Sequence, residues 1–193
     1  MGKKIALDTY YYSDTEAKTV GAIFSNWEDA KPEKIIEVWS SEFGPYIPGE
    51  FYKRELPCML DLLDKVPDLC DFDAIIIDGL AHLPSQADKV ADGLGIRLEK
   101  ALTVRGVIDR TTQYGITHVG IIGVAKSRFQ GVEEDMGISK VYRGNAKTPL
   151  YVDTTWFGYS SLSAAKCIES MHGEYRIPTI LKLVDTLTKT RTG

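Results

Sequence analysis

The chain has 193 residues, 44% of them apolar and 26% charged, with a formal net charge of −4. That length fits one domain spanning 1–193 with a sizeable core, and the balance is that of an ordinary soluble globular protein. It excludes a mainly electrostatic, non-specific nucleic-acid binder, and no apolar run approaches the ~20 residues of a membrane helix.

The start, Met1-Gly2-Lys3-Lys4-Ile5-Ala6-Leu7-Asp8, reads as a short strand and lacks the long apolar core of a signal peptide. Three apolar, β-branched or aromatic runs follow one another: Lys4 to Tyr12, Thr19 to Phe24 and Ile35 to Trp39. Short polar punctuation between them predicts three antiparallel strands. Asp8 interrupts the first run, and taken alone it is an ordinary strand-end turn residue.

Pro48-Gly49 marks a turn of fixed shape. Tyr46 and Ile47 project from it as apolar groups with little backbone freedom, suited to wedging between bases or to filling a core. Lys53 and Arg54 suit phosphate contacts, and Glu55 suits a metal or a proton. Leu56, Met59, Leu60 and Leu63 then recur at helical spacing, with Pro57 in the first turn and Glu55 at or just before the start. A carboxylate there is also what the helix dipole favours.

Phe72 to Ile77 is a continuous apolar strand of the buried parallel kind, ending at Asp78-Gly79. A carboxylate just outside such a strand end is the usual seat of chemistry in an open α/β sheet. Asp88 to Thr103 reads as a helix, and 107–117 extends it or forms a short second one. His118 to Val124 is another buried strand, followed by Lys126. A hairpin is expected around Gly144-Asn145, then a helix capped by Ser160 or Ser161, then a helix opened by Pro178 and carrying Asp185 off its apolar stripe. Lys189 to Gly193 forms a basic, fraying tail. The scattered Cys58, Cys70 and Cys167 have no metal spacing and fit reduced thiols. A cytoplasmic monomer is expected.

The string from Pro45 through Glu55 resembles the strand wedge and catalytic glutamate of the endonuclease V family. Ile76-Ile77-Asp78-Gly79 resembles that family's second acidic strand end, and Gly123-Val124-Ala125-Lys126-Ser127 its lysine loop. Pro149-Leu150-Tyr151-Val152 and Tyr175-Arg176-Ile177-Pro178 resemble later landmarks, in order along most of the chain. The resemblance implies a ribonuclease H-like fold: an α/β mixed sheet, antiparallel in its first three strands and parallel after them, with helices on both faces. The order of elements agrees with such a mixed sheet.

It also implies a function: a metal-dependent endonuclease that hydrolyses a phosphodiester on the 3′ side of inosine, a deaminated base, in nucleic-acid repair or processing. Residue by residue, Asp8, Glu55 and Asp78 match the acidic metal-site positions, and Asp185 matches a fourth. Hard oxygen ligands favour Mg²⁺, with Mn²⁺ able to substitute, and His82, His118 and His172 have no zinc spacing with the cysteines. Lys126 matches the lysine that contacts the scissile phosphate, although most lysines are simply solvated. Tyr46, Ile47, Pro48 and Gly49 match the wedge, and Gly79 and His82 the substrate-binding loop. The partner is DNA or RNA, since telling them apart needs a placed side chain at the 2′-hydroxyl. A nucleic-acid-binding protein on the same fold, with lost or altered cleavage, is the alternative; it has no need of Asp8, Glu55 and Asp78 together.

The sequence departs from the family pattern in several places. The family usually has a helical segment before its first strand, whereas the sequence here begins at the strand. After the second acid, Gly79-Leu80-Ala81-His82-Leu83-Pro84 stands where the family has Gly-x-Gly and a later His-Pro. The stretch between His82 and Lys126 is longer. Thr154-Thr155-Trp156-Phe157 stands where a Gly-His pair is usual. Leu80 and Ala81 restrict the close backbone approach that glycine permits, so a relaxed preference for inosine over adenine is expected.

Overall fold

The alternation of side chains along the strands divides the core in two, with helices covering each half. The computed structural model describes residues 2–47, 50–83, 91–108, 119–128, 137–155 and 160–191. Strands β1 (Lys3–Ser13), β2 (Glu16–Phe24) and β3 (Lys34–Ser40) form an antiparallel meander. Helix α1 (Tyr52–Leu63) and a 3₁₀ turn at Leu69–Asp71 lead to β4 (Phe72–Asp78), which pairs parallel to β1. A two-stranded ribbon of β5 (His82–Leu83) and β6 (Ala91–Asp92) precedes α2 (Leu94–Val104). β7 (Gly120–Ala125) pairs parallel to β4, then β8 (Ser139–Val141) and β9 (Leu150–Thr154) add an antiparallel hairpin to its far side. Helices α3 (Ser161–Ser170) and α4 (Thr179–Thr188) complete the chain. The main sheet runs β3-β2-β1-β4-β7-β9-β8.

Period-two alternation sends Ile5, Leu7, Ile75, Ile77 and Ile121 to one face, where they pack with Met59 and Leu62 of α1 and Leu98 and Leu102 of α2. Ala6, Ala74, Ile76, Ile122 and Val124 face the other way, against Ile168 of α3 and Ile180 and Val184 of α4. The expected mixed sheet with helices on both faces is therefore present. Burying one Ile or Leu stabilises by roughly 1.5–3 kcal/mol. The strand that delivers Asp78 is thus held by its own core residues and not by the carboxylate at its end. Among the described residues, no helix is long and apolar enough to cross a membrane.

Several local expectations change. Asp8 lies within β1, not at its end, because β2 keeps pairing with β1 as far as Ser13 after β4 has stopped at Asp78. Helix α1 starts at Tyr52, since Phe51 already has helical backbone angles. Glu55 therefore sits in the first turn and Pro57 inside the helix. Ala91–Asp92 is strand, not helix, because it pairs with His82–Leu83; α2 begins only at Leu94. Expectations for 84–90, 109–118 and 156–159 lie outside the described residues. The cap on α3 is Ser160, whose Oγ accepts from the Ser163 N–H at 3.2 Å.

Arg54, expected to suit a phosphate, is committed elsewhere, and so is Arg143. Arg54 is 6% exposed, its guanidinium 4.4 Å from the Tyr11 ring centroid and 5.0 Å from that of Phe43. It also donates to Ser13 O at 2.9 Å and pairs with Asp14 at 3.2 Å. Arg143 is buried and donates to the carbonyls of Glu169, Met171, Gly173 and Tyr175, clamping the turn between α3 and α4. Both use the rigid donor fork of Arg on backbone oxygens, a role charge counting does not reveal.

Candidate functional site

Asp8 and Asp78 come together because β1 and β4 are parallel neighbours paired at Leu7 and Ile77, one residue before each acid. Both acids follow the same alternation as Ala6 and Ile76, so they share the α4 side of the sheet. Helix α4 adds Asp185. It is held in place from below by Lys18, fully buried in β2, whose ammonium donates to the carbonyls of Leu187 at 3.0 Å and Thr190 at 2.9 Å. A cation on the open carbonyls of a helix C-terminus is favourable. Glu55 reaches the same strand ends from α1.

Lys126, just past β7, lies between the acids. Its Nζ is 2.7 Å from Asp78 Oδ2 and 3.3 Å from Asp185 Oδ1. Lys189 and Lys182 also pair with Asp185, at 2.9 and 3.4 Å. The Lys126 carbonyl accepts from Arg176, which also donates to Pro149 O at 2.8 Å, so the lysine loop is tied to the hairpin.

The charges press on one another. Burial, then the Asp78 carboxylate, pushes Asp8 up to about 6. Burial pushes Glu55 up to about 8, with Asp78 and Asp8 adding to the rise and nothing opposing it. Asp185 goes the other way: burial raises it, but Lys189 and Lys126 outweigh that and bring it down to about 2. Lys126 is held above its ordinary range; burial works against it, and the bond and charge of Asp78 prevail. A set of carboxylates that disfavour each other's ionisation is a poor structural device and a good cation seat.

Among the described residues, no three acidic, His or Cys side chains stand close enough round one point to hold a metal ion. The Lys126 ammonium supplies the positive charge in their midst instead. The chemistry of the donors still fits a hard divalent cation: all are carboxylates, and Glu55 has only effects that keep it from ionising alone.

Beside the acids opens a cleft of about 630 Å³, lined by Tyr46, Phe51, Tyr52, Glu55, Leu80, Leu94 and Lys126 among others. That lies within the roughly 300–1,000 Å³ of small-molecule pockets. Asp78 and Lys126 line this cleft and also a narrow crevice under α4 that includes Asp8. They stand on the divide between the cleft and the half-buried Asp8. Gly79, at φ 110°, also lines the cleft and adopts a backbone that other residues rarely take.

Tyr46 is 61% exposed at the cleft, its ring edge-on to Phe51 at 6.0 Å. Phe51 in turn meets Tyr11, and Tyr11 meets Phe43. Ile47 is exposed, away from the cleft lining; Pro48 and Gly49 lie outside the described residues. His82 does not line the cleft. It sits behind it on β5, with Nδ1 3.1 Å from Asp153. So the structure gathers Asp8, Glu55, Asp78, Lys126, Asp185, Tyr46 and Gly79, and leaves His82 at one remove. Sequence reasoning missed Phe51, Leu94 and Asp153. The aromatic content near Pro48-Gly49 pointed towards Phe51; Asp153, one polar residue in an apolar strand, gave only that faint signal.

Solved structures of endonuclease V share this architecture. That of Ciona intestinalis, in complex with a 24-mer DNA containing an inosine followed by a ribo-adenosine, has a TM-score of 0.70 at 17% identity, covering 97% of this chain and 84% of that one. Human ENDOV gives 0.68 at 18%, with 97% and 83% covered. The Bacillus subtilis endonuclease V gives 0.60 at 16%, with 97% and 79% covered. This likeness establishes a ribonuclease H-like fold for the chain. No protein-family model matches the sequence, and no curated protein does so significantly.

Proposed function

We propose that the protein is an endonuclease that hydrolyses a phosphodiester on the 3′ side of inosine in DNA or RNA, using Mg²⁺ or Mn²⁺. The observation that carries this reading is Lys126 set among Asp8, Asp78 and Asp185, with Glu55 close enough to Asp8 and Asp78 to feel their charge, at the mouth of an aromatic-rimmed cleft. A protein that only bound nucleic acid would gain nothing from keeping mutually repelling carboxylates there. The shared fold, and the inosine-containing DNA held by the Ciona protein, add support.

Asp8, Glu55, Asp78 and Asp185 would hold the metal, which when bound would supply a Lewis acid for the phosphate and a water of lowered pKa. The chain's own residues do the rest. Tyr46 fills the gap a displaced base leaves in the stack, and the cleft walled by Phe51, Tyr52, Leu80 and Leu94 takes the base. Extrusion costs a few kcal/mol, least at a mismatched or deaminated site. Lys126 exchanges its carboxylate partners for the scissile phosphate and holds it in line. Water adds to phosphorus as the bond to the 3′ oxygen breaks, giving a 3′-hydroxyl and a 5′-phosphate.

A nicking assay on matched DNA and RNA strands with one inosine tests this. Cleavage with Mg²⁺ or Mn²⁺, and none in excess chelator, is expected. Tight binding without cleavage in any metal would assign a binding protein instead.

A further inference from the structure

Asp153 is a buried carboxylate that the hydrolysis just described does not use. It is 2% exposed, one residue before the end of β9. Its Oδ1 accepts from the Ala81 N–H at 2.8 Å, and its Oδ2 from the His82 N–H at 2.8 Å. The His82 ring nitrogen Nδ1 is 3.1 Å from the same Oδ2. Its side-chain partner at that distance is the His82 ring. Withdrawing a carboxylate from water is expensive, and it persists only where several donors meet it. Here those donors all come from one short loop.

The path between them is built for this contact. Asp153 pairs with Gly123 of β7, which pairs in turn with Ile77 of β4, so the carboxylate reaches across Gly123 to the loop that leaves β4. A Cβ on Gly123 would lie 2.4 Å from Asp153 Oδ1, 2.5 Å from Ala81 N and 2.7 Å from Gly79 O. From the helix side, a Cβ on Gly95 would lie 2.6 Å from the Ala81 Cβ, and the Ile96 N–H donates to Ala81 O at 3.2 Å. The loop is thus clamped from behind, while Gly79 and Leu80 form part of the cleft wall in front.

We propose that Asp153 is a positioning residue: through Ala81 and His82 it fixes the Gly79–His82 segment, and so sets the shape by which the cleft selects a base. The proposal rests on the reading of the cleft as the base site. Leu80 and Ala81 take away the backbone freedom that glycines would give, and the Asp153 anchor replaces that freedom with a single fixed conformation. In place of a selectivity relaxed by the loop's composition, the protein has a selectivity that depends on one buried carboxylate.

The test uses the full chain with Asp153→Asn, Asp153→Ser and His82→Gln. Asn is nearly isosteric but turns a donor towards one of the two loop N–H groups. Amide hydrogen exchange at Ala81 and His82 should accelerate about tenfold to a hundredfold in Asp153→Asn, as expected for losing a bond to a charged acceptor. Exchange at Ile75–Ile77 and Ile121–Ile122 should not change, which separates loop release from global loss of structure. Cleavage of strands with inosine or adenine at one position should lose at least about tenfold in discrimination, through KM for the inosine strand, while Mn²⁺ affinity stays the same. Asp153→Ser, which keeps one small acceptor, should fall between. His82→Gln combined with Asp153→Asn should cost less than the sum of the two, since both act through one contact.

Unchanged exchange at Ala81 and His82, or unchanged discrimination despite faster exchange, overturns the proposal. Wild-type protein that cleaves neither strand overturns the nuclease reading, and the selectivity role with it, while the exchange data still decide whether Asp153 anchors the loop.

Discussion

Glu55 carries the largest electrostatic tension in the site. Burial and the charges of Asp78 and Asp8 raise it from an ordinary 4.5 to about 8, and Asp8 rises from 3.8 to about 6. A carboxyl raised in the folded state binds its proton more tightly there than in the unfolded chain. The stability this contributes is complete below the unfolded value and is lost as pH climbs through the folded one. Metal-free protein should therefore lose thermal stability between about pH 4.5 and pH 8. Asp185, lowered to about 2, acts in a separate window: its contribution is present above 3.8 and fades as pH falls through 2. Mg²⁺ or Mn²⁺ should restore Tm more at pH 8 than at pH 5, because binding to the ionised acids favours the folded state. Melting curves at both pH values with and without cation check this; equal shifts would mean that the acids are not the binding groups. Asp8 and Asp78 were legible in the sequence as lone acids in apolar runs. Asp153 was not, because its partners are backbone N–H groups of a loop far away in the chain, and no residue type advertises them.

Period-two alternation and turn residues make the strands β1 to β4 legible in the sequence. The errors fell where tertiary pairing overrides local pattern. Ala91–Asp92 became strand because His82–Leu83 lies beside it. β1 ran past Asp8 because β2 continues to pair with it as far as Ser13. Helix α1 gained a turn ahead of Pro57, and with it Phe51 was brought under Tyr46. That contact gives Tyr46 a footing while leaving it 61% exposed. Tyr46→Ala should lower cleavage of duplex substrate by tenfold or more but that of single strands only about two- to threefold, because unstacking costs a few kcal/mol only where a stack exists. Parallel rates on the two substrates measure it. Equal losses would mean that Tyr46 serves packing between Phe51 and the loop.

The whole molecule separates holding from chemistry. Two apolar layers, one under α1 and α2 and one under α3 and α4, fix the sheet, and neither layer includes Asp8, Asp78, Glu55 or Asp185. The succession of strands and helices along the chain was legible in the sequence; the order of the strands within the sheet was not. That Arg54 and Arg143 bind backbone and rings inside the protein was not legible either, since a cation's partners are chosen by the fold. On the proposed reading, the gathered acids serve metal-assisted cleavage. Asp78→Asn keeps the side chain's shape and every core contact of β4 but removes the charge a divalent ion needs. The direct measurement is single-turnover nicking of an inosine-containing strand in Mn²⁺ by purified wild type and Asp78→Asn, with circular dichroism to verify folding. Cleavage by the wild type, and a loss of at least about a thousandfold in a fully folded Asp78→Asn, is the expected result. Undiminished nicking by the folded variant would contradict the account.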